Sequence, residues 1–489
     1  MPHTHVAIVG AGFAGLGTAA RLQGEGVGFA VFERAEAVGG VWRDNVYPGA
    51  ACDVESHLYQ LADVPHAGWT RWFAQQPEIQ AYLTRLVDER DLGPHLHLGT
   101  TVEAAVWDEA AAGWRIATDR GDWTADVLVS AVGALAEPRV PPIPGLKTFA
   151  GPVLHTARWD PDLDLAGRRL AVVGTGASAI QLVPAVQPLV ERLTLFMRTP
   201  PTLLPRRDRP LSEAFRQRLA RWPRLRQAVR RALYAAHEAQ GIPFRRPELA
   251  GVGALLAHRH RRAHVSDPVL RERLTPSYRF GCKRILLSDD FYPAVQQPNV
   301  ALAGEAVEIC PDAVVEAGGT AHPADVLVFA TGFHVHDFPF IDRIRGRRER
   351  LSDAWQGHPT AFLGTTVVGF PNLFVLQGPN TGLGHSSVLL MMEAQIEHLL
   401  GALRVMRREG LAAIEPRPQA QAAFVAEVDA LSEGTAWTSG CDSWYLDPAG
   451  RNAAIWPGSV GAFHRRVAPF DPSDYVCRRA EARSGEALA

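Results

Sequence analysis

Apolar runs that end in glycine-rich turns recur along this chain, and the first of them stands near residue 10. "HVAIV" leads into Gly10-x-Gly12-x-x-Gly15 and then into "LGTAARL", a pattern that predicts a β-strand, a tight turn and an α-helix. The first glycine permits the turn, the second lets the backbone approach a pyrophosphate, and the third lets the helix pack on the strand. The next apolar run, "FAVFE", ends at Glu33, where a carboxylate can accept hydrogen bonds from a ribose. This unit predicts a dinucleotide-binding fold.

A second unit of the same kind is "RLAVVGTGASAIQLV", which carries Gly174, Gly176 and Ala179 at the three turn positions. The strand that follows, "RLTLFMRTP", ends at Arg198 and Thr199 instead of at an acid. A cation at that place suits the 2′-phosphate of NADP, which a carboxylate would repel. Alternatively, Arg198 is a surface arginine of an arginine-rich chain. Two such units in one chain favour one bound flavin and one diffusible nicotinamide coenzyme.

Two more apolar runs, "ADVLVSAVGA" and "PADVLVFATGF", end at small-residue turns, as expected where the chain leaves one nucleotide-binding domain for another. The sequence therefore predicts an α/β fold with two Rossmann-like dinucleotide-binding domains, the second inserted into the first, and a small helical subdomain. The predicted segments are, in order, the first part of the FAD-binding domain (1–140), a linker (141–165), the first part of the NADP-binding domain (166–208), the helical subdomain (209–275), the second part of the NADP-binding domain (276–333) and the second part of the FAD-binding domain (334–489).

The predicted helical segment is rich in arginine, with ten arginines from Arg206 to Arg231. One interpretation is an amphipathic helix that touches a membrane, and the other is a solvated subdomain over the active site. Three histidines nearby do not predict a metal site, because neither cysteines nor a cluster of acids accompanies them. These are His258, His260 and His264.

Composition and charge narrow the range of partners. The chain has 489 residues, of which 47% are apolar and 21% charged, and a formal net charge of −2. That balance argues against nucleic acid as the main partner, because binding the phosphate backbone requires a basic surface. Two lysines, Lys147 and Lys283, stand among 50 basic residues. The preference for arginine is typical of a GC-rich, bacterial coding bias. A lysine at 283 is unusual in such a chain, which makes it a candidate functional residue.

The start of the chain is interrupted by glycines and is unlike a signal peptide, and no apolar run reaches the roughly 18 residues that a membrane span requires. We therefore expect a cytoplasmic protein with no integral membrane association. The five cysteines are scattered and show no CxxC spacing, which argues against a disulfide framework and against a zinc site, so we expect no metal. The absence of CxxxxC also argues against a flavin disulfide reductase.

The segment between the two glycine-rich units, "FAGPVLHTARWD", follows a proline-rich run and shows the periodicity of neither a helix nor a strand. With its spacing Phe149-x-Gly151-x-x-x-His155-x-x-x-Trp159-Asp160, it resembles the fingerprint of the class B flavoprotein monooxygenases. Its Trp159 favours their type I Baeyer–Villiger branch. The resemblance implies that these residues lie at a hinge that couples two moving domains. A rigid proline-rich spacer is the alternative.

Further stretches resemble the same family in the same order. "GGVWRDNVYPGAACDVESHLY" is similar to its flavin-side segment, with Trp42, Tyr47 and Asp53 at matching positions. "FGCKRILLSDDFYPAVQQPNV" is similar to the segment that carries its catalytic lysine–arginine pair, here Lys283 and Arg284. "FATGF" and "GFPNLFVLQGPNTGLGHSS" also match, and "CDSWYLDPAGRN" matches more weakly.

The resemblance implies an FAD-, NADPH- and O2-dependent monooxygenase that inserts one oxygen atom beside a ketone carbonyl, by way of a flavin peroxide, to give an ester or lactone. Arg284 would stabilise the anions that arise on this path, since a guanidinium stays charged and offers two donors. Asp53 would hold Arg284, although a turn or helix-cap acid is the alternative at 53. Lys283 would bind the NADP phosphate beside Arg198. The sequence departs from the family at Ala51, where many members carry arginine.

Two other functions are compatible with these motifs. The same machinery could oxygenate a nitrogen or sulfur centre, or the chain could be a non-catalytic flavin- or NADP-binding sensor. A sensor would have no use for Arg284 and Asp53, which counts against it. The patterns specify neither the ketone, nor the regiochemistry of insertion, nor the oligomeric state.

Overall fold

The computed structural model describes residues 1–336 and 339–480, and the apolar runs of the sequence form its two large sheets. In chain order the strands are β1 (His3–Val9), β2 (Phe29–Phe32), β3 (Leu96–His97), β4 (Val102–Asp108), β5 (Gly113–Thr118), β6 (Trp123–Ser130), β7 (Val153–His155), β8 (Arg169–Val173), β9 (Arg192–Phe196), β10 (Leu203–Leu204), β11 (Leu286–Leu287), β12 (Val300–Ala303), β13 (Ala306–Ile309), β14 (Ala313–Glu316), β15 (Ala321–Pro323), β16 (Val326–Phe329), β17 (Ile344–Arg345), β18 (Leu373–Val375), β19 (Leu411–Pro416) and β20 (Tyr475–Arg479). The α-helices are α1 (Phe13–Gly24), α2 (Val41–Asp44), α3 (Gln76–Glu89), α4 (Ala177–Val186), α5 (Glu213–Arg221), α6 (Pro223–Gln240), α7 (Ile242–Arg245), α8 (Gly251–His264), α9 (Pro268–Arg273), α10 (Phe291–Ala294), α11 (Leu351–Trp355), α12 (Val388–Glu409), α13 (Pro418–Ser432) and α14 (Val460–Val467).

The first sheet has eight strands in the order β17-β4-β5-β6-β1-β2-β3, and β18 also pairs with β6. β1 is parallel to both β2 and β6, so the carboxyl ends of these three strands lie at one edge of the sheet. The first glycine-rich turn follows β1 at that edge, which is where open parallel sheets bind ligands. β17 and β18 return to this sheet from the second half of the chain.

The second sheet is parallel throughout, in the order β12-β9-β8-β16-β7. Apolar clusters cover both of its faces: Val172 belongs to one cluster and Val173, the next residue, to the other. Burial on two faces explains why β8 and β16 are nearly continuous apolar runs instead of alternating ones. The two sheets confirm the predicted α/β fold with two Rossmann-like units.

One interpretation of the sequence is wrong. The segment between the glycine-rich units was expected to form no strand, but Val153–His155 is β7, which pairs in parallel with β16 at the edge of the second sheet. Leu154 lies opposite Val328 in this register. Three residues are too few to display an alternating pattern, and the strand forms because β16, far along the chain, offers it an edge.

Helices α5 to α9 confirm the helical character predicted for the region around residues 209–275. Two contacts attach this helical region to the unit that contains the first sheet. Nε2 of His237 on α6 lies 2.6 Å from the Glu55 carboxylate, and Nη2 of Arg230 lies 3.2 Å from Glu393. Among the described residues, no helix has both the length and the apolar character needed to cross a bilayer.

The boundaries of the six predicted segments stay predictions. The return of β17 and β18 to the first sheet supports a discontinuous first domain, because both strands follow the residues that form the second sheet. The pairing of β7 with β16 supports assigning part of the expected linker to the second sheet.

Candidate active site

The first glycine-rich turn joins β1 to α1 and leaves space beside the start of the helix. Gly10 has a φ of +105°, and a Cβ there would lie 2.6 Å from the carbonyl oxygen of Ala131. A Cβ at Gly15 would collide with the Gly10 carbonyl oxygen. At Gly12, by contrast, a Cβ would meet only the Cα of Gly40, at 3.7 Å. Gly12 caps α1 without a side-chain hydrogen bond, so no capping side chain takes the place that a pyrophosphate would fill.

Glu33 lies at the end of β2 and is 5% exposed. Its carboxylate accepts hydrogen bonds from the amides of Ala11 at 2.8 Å and Ala35 at 3.0 Å, and from Nη1 of Arg43 at 3.1 Å. These contacts hold the carboxylate against the first turn, as recognition of a ribose beside the pyrophosphate requires. The glycine cradle and this carboxylate therefore fit the adenosine diphosphate part of FAD. Arg43 was not singled out from the sequence.

Trp42 and Tyr47 lie in the segment between the first turn and Asp53. Trp42 donates a hydrogen bond from Nε1 to the hydroxyl of Tyr59, at 3.0 Å. The Tyr47 hydroxyl donates to Oε1 of Gln181 on α4, at 2.8 Å. Burial raises the pKa of Tyr47 to about 12, so this hydroxyl stays protonated as a donor. Tyr47 thus links the first glycine-rich unit to the helix of the second.

The second glycine-rich turn has the same geometry as the first. Gly174 has a φ of +114°, and a Cβ there would lie 2.5 Å from the carbonyl oxygen of Ala330. A Cβ at Gly176 would meet open space, and Gly176 caps α4 without a side-chain hydrogen bond. Ala179, at the third position, is fully buried against the core of the second sheet. The turn therefore fits a second pyrophosphate.

Cationic side chains gather beyond β9, next to this second turn. Arg198 is 63% exposed, and its guanidinium lies 3.3 Å from the Asp442 carboxylate and 3.9 Å from that of Glu305. Burial lowers the pKa of Lys283, and the charge of Asp442 opposes that shift while the charge of Arg198 reinforces it. The carbonyl oxygen of Thr199 accepts a hydrogen bond from the hydroxyl of the turn residue Thr175, at 2.7 Å. The predicted 2′-phosphate residues Arg198, Thr199 and Lys283 thus lie together.

Asp53 and Arg284 form an ion pair at the meeting of the two units. Oδ2 of Asp53 lies 2.7 Å from Nη2 and 3.3 Å from Nε of Arg284. Burial acts to raise the pKa of Asp53, but the charge and hydrogen bonds of Arg284 outweigh it and hold the pKa below its usual value. The charge of Asp53 in turn raises the pKa of Arg284. The pair is therefore ionised at neutral pH and supplies a fixed cation.

Arg206 brings a second guanidinium to this pair, which sequence reasoning missed. Its Nη2 donates to the carbonyl oxygen of Cys52 at 2.8 Å, and its charge helps to lower the pKa of Asp53. In the sequence, Arg206 is the first of the ten arginines up to Arg231, and no local pattern distinguishes it from the others. Its position is notable because Ala51, immediately before Cys52 and Asp53, brings no charge of its own.

Tyr445 is a second residue that the sequence did not single out. It is 1% exposed, and burial raises its pKa to about 12 against the charge of Arg284, which acts to lower it. Tyr445 therefore remains a neutral hydroxyl within electrostatic range of the guanidinium. Tyr445 belongs to "CDSWYLDPAGRN", and the weak resemblance of this stretch to the monooxygenase family was the one sequence signal that could have identified it.

Three residues of the fingerprint make contacts that stabilise the local fold: Phe149, Gly151 and Asp160. Phe149 is buried in the cluster on one face of the second sheet. A Cβ at Gly151 would collide with the carbonyl oxygen of Asp325, so the approach of this segment to the strand β16 requires glycine. Oδ1 of Asp160 accepts a hydrogen bond from the amide of Asp162 at 3.0 Å and stabilises a turn.

His155 lies where the fingerprint meets the end of "FATGF". Its ring packs edge-on to Phe333 with 5.8 Å between ring centroids, and its Nδ1 accepts a hydrogen bond from the amide of Ala157 at 3.1 Å. Burial lowers the pKa of His155 to about 4, although an interaction with the Gly332 backbone acts to raise it. The imidazole is therefore neutral at physiological pH.

Trp159 lies at the junction between the unit that contains the first sheet and the unit that contains the second. It is partly buried against the core of the second sheet, while the preceding residue, Arg158, has Nη1 3.8 Å from the Asp44 carboxylate. The fingerprint therefore touches both units. A surface cleft at this place is lined by Arg34, Ala35, Arg43, Asp44, Val46, Ala157, Arg158 and Trp159.

One pair of cysteines forms a disulfide bond, which the spacing of the cysteines in the sequence did not predict. Cys282 and Cys441, 159 positions apart, are joined by a disulfide bond, whereas Cys52, Cys310 and Cys477 are free. The scattered spacing did not predict this pair because its members come from distant segments that meet only in the folded chain. Among the described residues, no group of three or more His, Cys, Asp or Glu side chains is arranged to hold a metal ion.

Comparisons with known proteins agree with this geometry. Residues 4–245 match the pyridine nucleotide-disulphide oxidoreductase family, a span that contains both glycine-rich turns. The chain is 47% identical to a Baeyer–Villiger monooxygenase of Streptomyces coelicolor, over 100% of this chain and 95% of that protein. It is 42% identical to a Baeyer–Villiger monooxygenase of Pseudomonas aeruginosa, over 97% of this chain and 91% of that protein.

The fold is also that of a solved relative. The structure of a cyclohexanone monooxygenase from Rhodococcus sp. Phi1 bound to NADP+ aligns with a TM-score of 0.87 and 29% identity, over 98% of this chain and 100% of that one. Family, fold and the two dinucleotide turns thus lead to the same conclusion. This chain belongs to the Baeyer–Villiger monooxygenases and is an oxidoreductase that uses FAD and NADPH.

Proposed function

We propose that this chain inserts one atom of O2 beside the carbonyl of a small-molecule ketone, giving an ester or a lactone, and that it does so in the cytoplasm. The observation that carries the proposal is the Asp53–Arg284 ion pair, whose members lie 2.7 Å apart and come from the segments that follow the two glycine-rich units. FAD, once reduced by NADPH, supplies the activated oxygen when it is bound. What the chain itself must add is binding, orientation and a cation for developing negative charge.

Arg284 would provide that cation. Negative charge grows on the carbonyl oxygen of the ketone as its carbon becomes tetrahedral, and a preorganised donor stabilises this charge without reorientation. Asp53 engages Nε and Nη2 of Arg284, so we assign Nη1 to the substrate oxygen. The carboxylate fixes the plane of the guanidinium, and Arg206 adds positive charge to the same region.

The two turns would divide the cofactors between them. We assign Gly10, Gly12, Gly15 and Glu33 to FAD, with Trp42 and Tyr47 on the flavin side of the site. We assign Gly174, Gly176 and Ala179 to the pyrophosphate of NADPH, and Arg198, Thr199 and Lys283 to its 2′-phosphate. The support for this division is chemical: a carboxylate follows the first unit and cations follow the second.

The fingerprint would be the hinge between the two units. His155 packs on Phe333 at the point where the chain leaves the second sheet, and Arg158 reaches Asp44 beside the first. A rotation of one unit against the other would change the Arg158–Asp44 contact, which spans the two units, three residues beyond His155 in the chain. His155 and Trp159 would therefore transmit movement during turnover and would not touch the reacting atoms.

A substrate panel tests the proposed reaction. Purified protein with FAD and NADPH is given cyclic, linear and aryl ketones, together with sulfides and amines, under ¹⁸O-labelled O2. We expect an ester or lactone that carries one labelled oxygen. Labelled products from sulfides or amines alone would support heteroatom oxygenation instead, and a flavin-loaded protein that consumes no NADPH with any compound would support a sensor.

A further inference from the structure

The Cys282–Cys441 disulfide lies directly beside the charged groups of the second unit. Lys283 follows one cysteine and Asp442 follows the other. The two Cα atoms are 6.2 Å apart, within the usual range for a disulfide, and Cys282 is fully buried. The bond therefore fixes the segment around residue 441 to the segment that carries both Lys283 and Arg284.

Asp442 pairs with one cation and acts electrostatically on a second. Its Oδ2 lies 3.3 Å from Nη2 of Arg198, and its charge acts on Lys283. The Asp442 side chain is 85% exposed, and an exposed ion pair contributes little to holding its own geometry. The tether one residue away, at Cys441, restricts where the carboxylate can lie, because adjacent Cα atoms are only about 3.8 Å apart.

We propose that Asp442, held by the Cys282–Cys441 disulfide, is a residue that sets coenzyme affinity by competing with the 2′-phosphate of NADPH, and that reduction of the disulfide releases it. The inference rests on the proposed assignment of Arg198 and Lys283 to that phosphate. With the bond intact, the carboxylate stays beside both cations and opposes a second anion. With the bond reduced, residues around 441 can withdraw and leave the cations to the phosphate.

The chemistry of the switch is a two-electron exchange. Hydrogen peroxide oxidises the two thiols, its O–O bond breaks, one S–S bond forms, and two molecules of water leave with both thiol protons. A dithiol or phosphine reductant breaks the S–S bond and restores the two thiols. A flavin oxygenase that fails to transfer oxygen releases hydrogen peroxide, so this enzyme can supply its own oxidant. Thiols of cytoplasmic proteins are normally kept reduced, which makes the disulfide the regulated state.

The effect on binding should be confined to coenzymes that carry the 2′-phosphate. Exposed charge contacts have modest strength, so oxidation should weaken NADP+ binding about 1.4- to fivefold. NAD+ lacks this phosphate, and its dissociation constant should not change. Asp442→Asn should remove the redox dependence, since an amide does not repel the phosphate. Glu305→Gln, which changes the other acid near Arg198, is the matched control: it should alter NADP+ affinity equally in both redox states.

The test combines thiol counting with calorimetry on the FAD-loaded protein. Mass spectrometry after alkylation should find five free thiols in reduced protein and three after peroxide treatment, with Cys282 and Cys441 linked. Dissociation constants for NADP+ and NAD+ are then measured in both states for wild type, Asp442→Asn, Cys441→Ser and the control Cys310→Ser. Cys441→Ser should bind NADP+ as reduced wild type does, and Cys310→Ser should behave as wild type.

Three results would overturn the proposal: no Cys282–Cys441 link after oxidation, equal NADP+ affinity in both states, or an equal change for NAD+. The underlying assignment is checked separately with Arg198→Ala. If that variant binds NADP+ as wild type does in both states, the proposed phosphate site is wrong. If it weakens NADP+ binding while wild type shows no redox dependence, the phosphate site stands and the tether does not regulate it.

Discussion

Nη2 of Arg284 lies 2.7 Å from Oδ2 of Asp53, although 231 positions separate the two residues in the sequence. Asp53 follows the first glycine-rich unit and Arg284 follows the second, so the contact forms only when the two units are assembled. The charge of Arg284 keeps the pKa of Asp53 below its usual value despite burial, and the pair is therefore ionised at neutral pH. A cation that is both fixed and permanent is what anionic oxygen chemistry requires.

Coenzyme preference provides the first prediction. Arg198→Ala should raise the Michaelis constant for NADPH about tenfold to a hundredfold and leave that for NADH unchanged, since charge-assisted contacts to a phosphate contribute roughly 1.5–3 kcal/mol. Steady-state kinetics with both coenzymes measure this. Arg192→Ala, an exposed arginine at the opposite end of β9, is the control and should have no effect. Equal use of NADPH and NADH by wild type would contradict the assignment.

The hinge provides the second prediction. His155→Ala should leave FAD bound and the protein folded at the assay temperature, yet it should slow turnover or divert reducing equivalents to hydrogen peroxide. The reason is that His155 contacts Phe333 at the junction but lies outside the reacting groups. NADPH consumption, product and peroxide are measured together. Val153→Ala, exposed on the same strand, should stay fully coupled. Wild-type rate and coupling in His155→Ala would mean that the segment is only structural.

The third prediction concerns acid stability. His57 is fully buried, and burial lowers its pKa to about 4, with a contribution from the charge of Arg226. As pH falls below about 6.5, the unfolded state gains a proton at this residue and the folded state does not, so stability falls until pH reaches the folded pKa. At pH 5 this costs about 2 kcal/mol.

His57→Leu removes the titrating group from the same buried position. The fall in melting temperature between pH 7.5 and pH 5 should therefore be smaller in the variant than in wild type. His66, His155 and His398 have similarly lowered pKa values and should retain their share of the acid sensitivity. An unchanged pH dependence in His57→Leu would show that His57 is already protonated or exposed in the folded protein.

The features that the sequence predicted well are local ones. A glycine at 10 or 174 is required by its own φ and by a carbonyl oxygen at the adjacent turn, so a short motif contains the whole reason for it. The parallel strands β8 and β16 were visible because burial on both faces makes each run nearly continuously apolar. The assignment of the acid at 33 to a ribose and of the cation at 198 to a phosphate stays a prediction.

The features that the sequence did not predict depend on long-range assembly. Strand β7 exists because β16 offers it an edge, and the Cys282–Cys441 bond joins segments 159 positions apart. Arg206 reaches Cys52 from an arginine-rich segment in which no neighbour distinguishes it. Short-range patterns carry no signal for such contacts, because each needs the two units to be packed first.

We propose that Arg284 is the cation that makes oxygenation possible. Removal of one stabiliser of an oxyanion typically slows a reaction on the order of a hundredfold to a thousandfold. Arg284→Ala should therefore lose ketone oxygenation while it retains FAD, and Arg284→Lys should recover little, because a point charge does not replace the two donors of a guanidinium. Arg279→Ala, an exposed arginine in the same segment, should keep wild-type activity.

The most direct measurement gives wild type and Arg284→Ala the same accepted ketone under ¹⁸O-labelled O2 and follows the labelled ester or lactone by mass spectrometry. We expect a product with one labelled oxygen from wild type and a rate at least a hundredfold lower from Arg284→Ala. Labelled product from Arg284→Ala at close to the wild-type rate would contradict it.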